Sequence, residues 1–222
     1  MWAQNPYRPL VVGLTALFPT GAWGRSHSPF PQNGRAGISY GAYGAKEYYD
    51  PSGRFGWFVF FQAVSWEVDR QNLIQDLILQ PLPDNADYTA YRLPFSNIGG
   101  LGLIYRYAPK NRWYFSLPVD VRITYTNYRQ WVIVLPSQVS HSVRIESNSF
   151  LGFAVTPTFW IRLDQKKKMY VGLGLAYPMV WGKPAYYTIY TTHSDGGTQT
   201  VRREYYLPPQ YVEFRMLVAF VP

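Results

Sequence analysis

Residues Trp113–Asn127 read Trp-Tyr-Phe-Ser-Leu-Pro-Val-Asp-Val-Arg-Ile-Thr-Tyr-Thr-Asn, and the fold turns on this alternation. The odd positions, Trp113, Phe115, Leu117, Val119, Val121, Ile123 and Tyr125, are all apolar or aromatic. The even positions, Tyr114, Ser116, Pro118, Asp120, Arg122, Thr124 and Thr126, are mostly polar or charged. A period of two over that length makes a β-strand between two opposite environments. On the apolar face the aliphatic residues lie in the middle and Trp113 and Tyr125 at the ends. A strand that crosses a bilayer has that profile, with rings at both interfaces and aliphatics in the hydrocarbon. A soluble sheet with one buried face is the competing reading, and the rest of the chain separates the two.

The chain has 222 residues, within the range of a single all-β barrel domain, so one domain over 1–222 is expected. Aromatic residues make up 18% of it and charged residues 15%, against roughly 25% charged in soluble domains. Mean hydropathy is near neutral, which a barrel with polar inward positions would also give. With no cysteine, disulfides, thiolate metal sites and cysteine nucleophiles are excluded. No apolar run reaches the roughly 20 residues of a membrane-spanning helix; Trp57–Phe61 is about the longest. The N-terminus, Met1-Trp2-Ala3-Gln4-Asn5, lacks a basic region and an apolar core, so the expectation is a chain whose signal peptide is absent or trimmed. The +8 formal charge is dispersed, and Lys166-Lys167-Lys168 is too short for a nucleic-acid groove. No nucleic-acid partner is expected.

Strand patterns recur along the chain at Leu10–Phe18, Gly37–Tyr49 (a Gly/Ala/Tyr stretch of weak phase), Phe55–Val68, Ile98–Tyr107, Phe150–Leu163, Met169–Trp181 and Tyr211–Phe220. With the opening strand this makes eight. Phe55–Val68 begins aromatic on both faces, which predicts a bulge or register change there. Within the long non-alternating stretch Asp69–Pro94, Gln71–Gln80 has helical spacing. Asn127–Val143 is polar and loop-like, although Trp131–Leu135 can prolong a strand. Tyr186–Arg203 is a Tyr/Thr-rich ribbon around His193-Ser194-Asp195-Gly196-Gly197. The short connections, Asp50–Arg54, Ala108–Arg112 and Asp164–Lys167, follow the second, fourth and sixth strands. In an up-and-down barrel they all lie at one end, together with both termini. The expected fold is therefore all-β, an eight-stranded antiparallel up-and-down transmembrane β-barrel with long external loops and short periplasmic turns.

An eight-stranded barrel has room inside for side chains but not for an open pore. The predicted inward set includes Arg106, Asp120, Arg122, Arg162, Glu213 and Arg215. Buried charges need partners, so a lumen network pairing the two acids with the arginines is expected. Trp113, Tyr125, Tyr105, Tyr107, Tyr177 and Trp181 form the expected aromatic girdle.

On these strands, girdles and charged lumen, nearly the whole chain resembles the small outer-membrane β-barrels of Gram-negative bacteria, the OmpA-transmembrane-domain, OmpX and OmpW-like group. The last strand, Tyr211–Phe220, resembles the C-terminal signal read by barrel-insertion machinery, although Val221-Pro222 follow Phe220 where the aromatic is usually terminal. The resemblance implies residence in the outer membrane of a Gram-negative bacterium, among outer-membrane lipids. It says little about activity.

Candidate chemistry is sparse. His27, His141 and His193 fall in predicted external loops, where two lipid-modifying barrel families, deacylases and acyltransferases, hold a His/Ser site. Ser140-His141-Ser142 with Glu146, and His193-Ser194-Asp195, are the nearest matches. Neighbours on a strand point to opposite faces, so neither makes a nucleophile–base pair directly. No cofactor and no metal ligand set is expected, and the chain reads as a non-enzyme. Gly99-Gly100-Leu101-Gly102 lies in a strand with no following helix, so it reads as small inward positions and not a phosphate loop.

Pro118, Pro157 and Pro178 interrupt three consecutive strands and remove ladder donors. They read either as bulges that help close the barrel or as a weakened wall through which a lipid or small hydrophobic molecule passes sideways. Tyr186, Tyr187, Tyr190, Tyr205 and Tyr206, with Arg202 and Arg203, form an expected docking surface, since Tyr and Arg favour interfaces. The favoured expectation is a structural or accessory subunit that binds partner protein in a larger outer-membrane complex.

Overall fold

The computed structural model describes residues 8–20, 38–66, 87–90, 95–110, 112–127, 130–134, 139–164, 168–182, 185–205 and 211–221. Among these there are fifteen strands and no helix. The expected Gln71–Gln80 helix and His27 lie outside the described residues. The strands are β1 (Leu10–Pro19), β2 (Ser39–Tyr49), β3 (Phe55–Ser65), β4 (Asp87–Ala90), β5 (Phe95–Lys110), β6 (Trp113–Asn127), β7 (Gln130–Val134) and β8 (Ser140–Ile145). Then follow β9 (Asn148–Val155), β10 (Thr158–Arg162), β11 (Met169–Ala176), β12 (Met179–Gly182), β13 (Ala185–Thr192), β14 (Thr198–Tyr205) and β15 (Tyr211–Phe220).

Ten strands close into a barrel of eight antiparallel staves, because β9 and β10 together make one stave and β11 and β12 another. The circle runs β1, β2, β3, β5, β6, β9/β10, β11/β12, β15 and back to β1. Closure has a measurable stagger. The register from Thr158 passes through Gly174, Arg215, Thr15, Gly41, Val64, Ser96 and Thr126, and returns to the same stave at Asn148, ten residues away. With eight strands, that stagger sets a tilt of about 40° and a backbone radius of about 8 Å. Staves of ten or eleven residues then stand about 25 Å tall, the height of an outer-membrane apolar band.

Side chains alternate accordingly. Leu14, Leu101, Leu103, Val121, Ile123, Leu173 and Met216 are exposed on the outer wall, while the intervening positions are buried inside. Rings gather at both rims of this band. Phe18, Tyr40, Tyr125 and Trp181 lie toward the long connections. Toward the short turns Tyr48 stacks on Trp57 at 4.2 Å, Phe55 meets Tyr105 at 5.0 Å and Trp113 meets Phe159 at 5.6 Å, with Tyr107 alongside. Tyr177 is not in either rim. It sits in the break between β11 and β12, near mid-wall, because the register starts its stave low, with Met169 opposite Phe220, and the stave runs on through Met179 to Trp181 at the rim.

The register change expected in Phe55–Val68 is absent over the described strand, Phe55–Ser65. β3 pairs without a shift with β2 from Tyr49/Gly56 to Tyr40/Ser65, and with β5 along its whole length. Its inward rings fit because β5 offers glycine opposite them: a Cβ on Gly102 would lie 2.7 Å from the Phe58 ring, and one on Gly100 2.6 Å from Phe60. Among the described barrel registers, the one shift lies between Tyr107 and Lys110 of β5.

The prolines are not bulges either. The register keeps its phase across Pro157 and Pro178, from Phe153/Met179 to Thr158/Gly174, and across Pro118, from Val119/Val155 to Ser116/Thr158. What they remove is hydrogen bonds. Thr156 N–H donates to the Pro118 carbonyl at 2.9 Å, but Pro118 cannot return the bond. The Thr158 hydroxyl supplies the missing donor, bonding the Thr156 carbonyl at 3.0 Å. Between the neighbouring staves, Leu175 N–H donates to the Pro157 carbonyl at 3.2 Å within the gap.

Beyond the barrel, β14, β13, β8, β7 and β4 form a second antiparallel sheet. Each follows or precedes a barrel stave by two to five residues, and their order repeats that of the five staves from β15 round to β5. The polar Asn127–Val143 stretch, read as mainly loop, is thus largely strand: β7 and β8 are held by cross-strand bonds from Gln130/Arg144 to Val134/Ser140. Long-range pairing overrides local polarity there.

Thr158→Val should orphan the Thr156 carbonyl and lower stability by about 1–3 kcal/mol. Pro118→Ala in the same chain should recover most of the loss by restoring the backbone donor. Urea titration of the folded barrel in detergent micelles checks this; an unchanged midpoint for the single variant would refute the compensation.

Candidate functional site: the filled lumen and the outward sheet

Period-two geometry puts residues i and i+2 of a stave on one face, so Asp120 and Arg122 of β6 both point inward, as do Glu213 and Arg215 of β15. Arg122 grips Asp120 with two bonds, Nε to Oδ1 at 2.6 Å and Nη2 to Oδ2 at 2.7 Å. Its third nitrogen reaches across the lumen, Nη1 to Glu213 Oε2 at 3.2 Å. Arg215 holds the other side of Glu213, Nε to Oε1 at 2.6 Å and Nη2 to Oε2 at 3.1 Å. All four residues are at most 1% exposed. The Arg215 guanidinium lies 4.6 Å from the Tyr43 ring centroid, and that of Arg122 5.3 Å from Phe60. Two anions and two cations therefore neutralise one another with bidentate geometry, the arrangement in which burial is tolerated.

The layers on either side are closed. Toward the long connections lie Leu17, Trp66, Phe150 and Tyr211, all buried, with the Trp66 Nε1–H donating to Ser96 Oγ at 2.6 Å. Toward the short turns lie Val11, Phe58, Ile104 and Leu217. Beneath them Tyr114 stacks on Trp160 at 5.6 Å, and Trp160 Nε1–H donates to Ser116 Oγ at 2.9 Å. Gly172 leaves room for the Trp160 ring, which a Cβ would meet at 2.6 Å.

Arg106 and Arg162 lie outside the four-residue cluster. Arg106 sits 4.0 Å from the Tyr114 ring centroid near the short-turn mouth. Arg162, half-buried at the end of β10, donates its backbone N–H to the Arg112 carbonyl at 2.9 Å. Two inward polar features were not read from the sequence: the Tyr49 hydroxyl donating to Glu47 at 3.0 Å, and Gln62 Nε2 donating to Thr15 Oγ1 at 3.1 Å. Both faces of β2 carry tyrosine and small residues, so its phase was weak; the pairing of Glu47 with Tyr49 at i+2 was the available signal.

The second sheet has unlike faces. Tyr186, Tyr190 and Arg202 share one exposed face, where the Arg202 guanidinium covers Tyr186 at 4.4 Å and bonds Glu146 at 2.9 Å. Ile189 and His141 lie on the other, buried face. The expected docking set is therefore split. The register gives Tyr187, Arg203 and Tyr205 the opposite parity from Tyr186 and Arg202, and Tyr206 lies outside the described residues. His141 Nδ1 is 3.0 Å from Thr191 Oγ1, and burial followed by the nearby His193 holds its pKa below the ordinary histidine range. Ser142 pairs beside Tyr190, on the face away from His141. Asp195 accepts the Gly197 N–H within its own turn at 2.8 Å. Among the described residues no three His, Asp or Glu side chains gather as a metal ligand set.

On the outer wall, an apolar groove of about 450 Å³ lies between Trp57, Leu101, Leu103, Val119, Val121 and Phe153. Val119 and Phe153 also border the wall interrupted by the prolines.

No protein-family model matches the chain, and no curated protein matches it. In fold it is similar to a major outer membrane protein from Thermus thermophilus, known from a crystal structure. The TM-score is 0.51 at 10% sequence identity, covering 96% of this chain and 99% of that one. At that identity the likeness concerns the fold: a closed eight-stave antiparallel barrel.

Because buried side chains pack the described lumen layers, the reconstituted chain should show no steady conductance in planar bilayers. Arg122→Met leaves Asp120 buried without its bidentate partner and should cost about 3–5 kcal/mol, whereas Asp120→Asn with Arg122→Met should cost less than the sum of the single changes. Additive unfolding free energies, or a wild-type channel, would contradict the plugged arrangement.

Proposed function

We propose that this chain is an integral outer-membrane protein, of the small Gram-negative barrel type that includes OmpA, OmpX and OmpW, and that it acts as a non-enzymatic accessory subunit. Its partner is another protein, held on the outward sheet. Residence in the membrane is supported by the exposed apolar band about 25 Å tall between two aromatic rims, and by the fold's likeness to an outer membrane protein. A filled lumen argues against transport through the barrel axis. The observation that carries the accessory role is the second sheet: it raises Tyr186, Tyr190 and Arg202 on one exposed, pre-formed face, and such residues anchor interfaces at low entropic cost.

The proline-interrupted wall supports a second reading, the lateral passage or binding of a small hydrophobic molecule. The gap in the ladder between β9/β10 and β11/β12 adjoins the outer groove at Val119 and Phe153. Replacing Pro118, Pro157 and Pro178 together should abolish uptake of an apolar fluorophore into the detergent-solubilised barrel if that reading holds; unchanged uptake refutes it.

For the favoured reading, extraction of native membranes in mild detergent should give this chain in a defined larger assembly. Tyr186→Ala/Tyr190→Ala/Arg202→Ala should weaken that assembly at least about tenfold while the barrel stays heat-modifiable on gels. Elution of the wild-type chain alone would sink it.

A further inference from the structure

Charge is distributed unequally between the two ends of the barrel. Toward the long connections, among the described side chains, Arg144 and Arg202 are matched by Glu146 and Asp195. Toward the short turns stand Arg8, Lys46, Arg54, Arg112 and Lys168, with Arg162 on the inward parity of β10. The acids at that end are Glu47, Asp50 and Asp164, and each accepts from a hydroxyl or the backbone. Glu47 is buried and takes the Tyr49 hydroxyl. Asp50 accepts from Ser52 Oγ at 2.8 Å and from the Arg54 N–H at 3.1 Å, and Asp164 accepts the N–H groups of Lys168 and Met169 at 2.9 and 3.0 Å. The cations thus form a collar round the short-turn rim that is in excess over the acids beside it.

Two of them fix where that collar lies. Lys46 is on the outward parity of β2, opposite Leu10 and Val59 on the apolar wall. Its ammonium donates to the Arg8 carbonyl at 2.8 Å, so the side chain runs along the wall toward the rim and does not stand out into hydrocarbon. The Arg8 guanidinium lies 5.7 Å from the Tyr48 ring, which itself stacks on Trp57. Both charges therefore sit at the aromatic rim, facing outward, at the depth where headgroup phosphates lie.

We propose that this collar binds the phosphates of anionic phospholipids in the leaflet on the short-turn side, and so selects the lipids around the barrel and fixes its depth. Lipid is the occupant because Arg8 and Lys46 project from the wall that the bilayer covers, not from the end that faces water. Negative headgroups attract such clusters over about a Debye length. The proposal rests on the membrane reading above.

The test reconstitutes the full chain in nanodiscs of equal phosphatidylglycerol and phosphatidylcholine and reads the retained lipids by native mass spectrometry after mild delipidation. The wild-type chain should retain phosphatidylglycerol roughly tenfold over phosphatidylcholine, with the preference falling as salt is raised. R8Q/K46Q/R112Q/K168Q should lose it, and R144Q/R202Q should keep it. If the fourfold variant fails to insert, the pairs R8Q/K46Q and R112Q/K168Q read the same preference, each reduced. A wild-type chain that inserts, as judged by heat-modifiable migration, yet retains both lipids equally overturns the collar alone. So does a preference that survives in the fourfold variant, or uptake of polyglutamate from solution with the disc lipids left unsorted. Failure of the wild-type chain to insert in vesicles of either composition overturns the membrane reading and the collar with it.

Discussion

Closure of eight staves at a stagger of ten residues leaves an interior only about 8 Å in backbone radius, and every inward residue has to fit that space. Fitting is done by pairing large with small across neighbouring staves. Phe58 and Phe60 of β3 lie over Gly102 and Gly100 of β5, and Trp160 of β10 lies over Gly172 of β11. A methyl group at any of these glycines would push against a ring already packed on its other side. The same residues would read as disorder in the pattern if a strand were considered alone, because their meaning is set by the neighbour.

The filled interior then dictates how polar groups are handled. Four ionised side chains at mid-lumen are acceptable because each carboxylate takes a bidentate guanidinium and the Arg122–Glu213 bond joins the two pairs. The same accounting of donors and acceptors extends to the wall itself. Pro118 removes one donor from the ladder, and a threonine hydroxyl two residues beyond the orphaned carbonyl supplies another. In a bilayer, where no water can substitute, such replacement is what permits a proline inside a stave.

With buried side chains packing the described lumen layers, the exposed surfaces lie outside the lumen. They differ in chemistry along the barrel. One end continues five staves into a second sheet with an exposed Tyr/Arg face, the wall is apolar and locally short of ladder bonds, and the short-turn rim is basic. The protein docking, apolar ligand binding and headgroup binding proposed above each map onto one of these regions, so substitutions that leave the salt-bridged core untouched test them separately.

Alternation in single strands carried most of the fold. Trp113–Asn127 has one face for the outer wall and one for the lumen because Cβ atoms alternate across a strand, and that holds whatever the strand pairs with. The inward charges, Asp120, Arg122, Glu213 and Arg215, were legible for the same reason. What alternation cannot encode is stagger and partnership. It took the closed sheet to put Tyr177 at mid-wall and not at a rim, and to show that the rings of β3 need no bulge. Pairing in the second sheet likewise makes the described part of Asn127–Val143 mostly strand, since β7 and β8 are held by their neighbours and not by their own pattern. Which way a side chain faces is a local property of the chain, written in its period of two. Its depth and its neighbours are collective properties, because register is set by the adjoining stave and by ring closure.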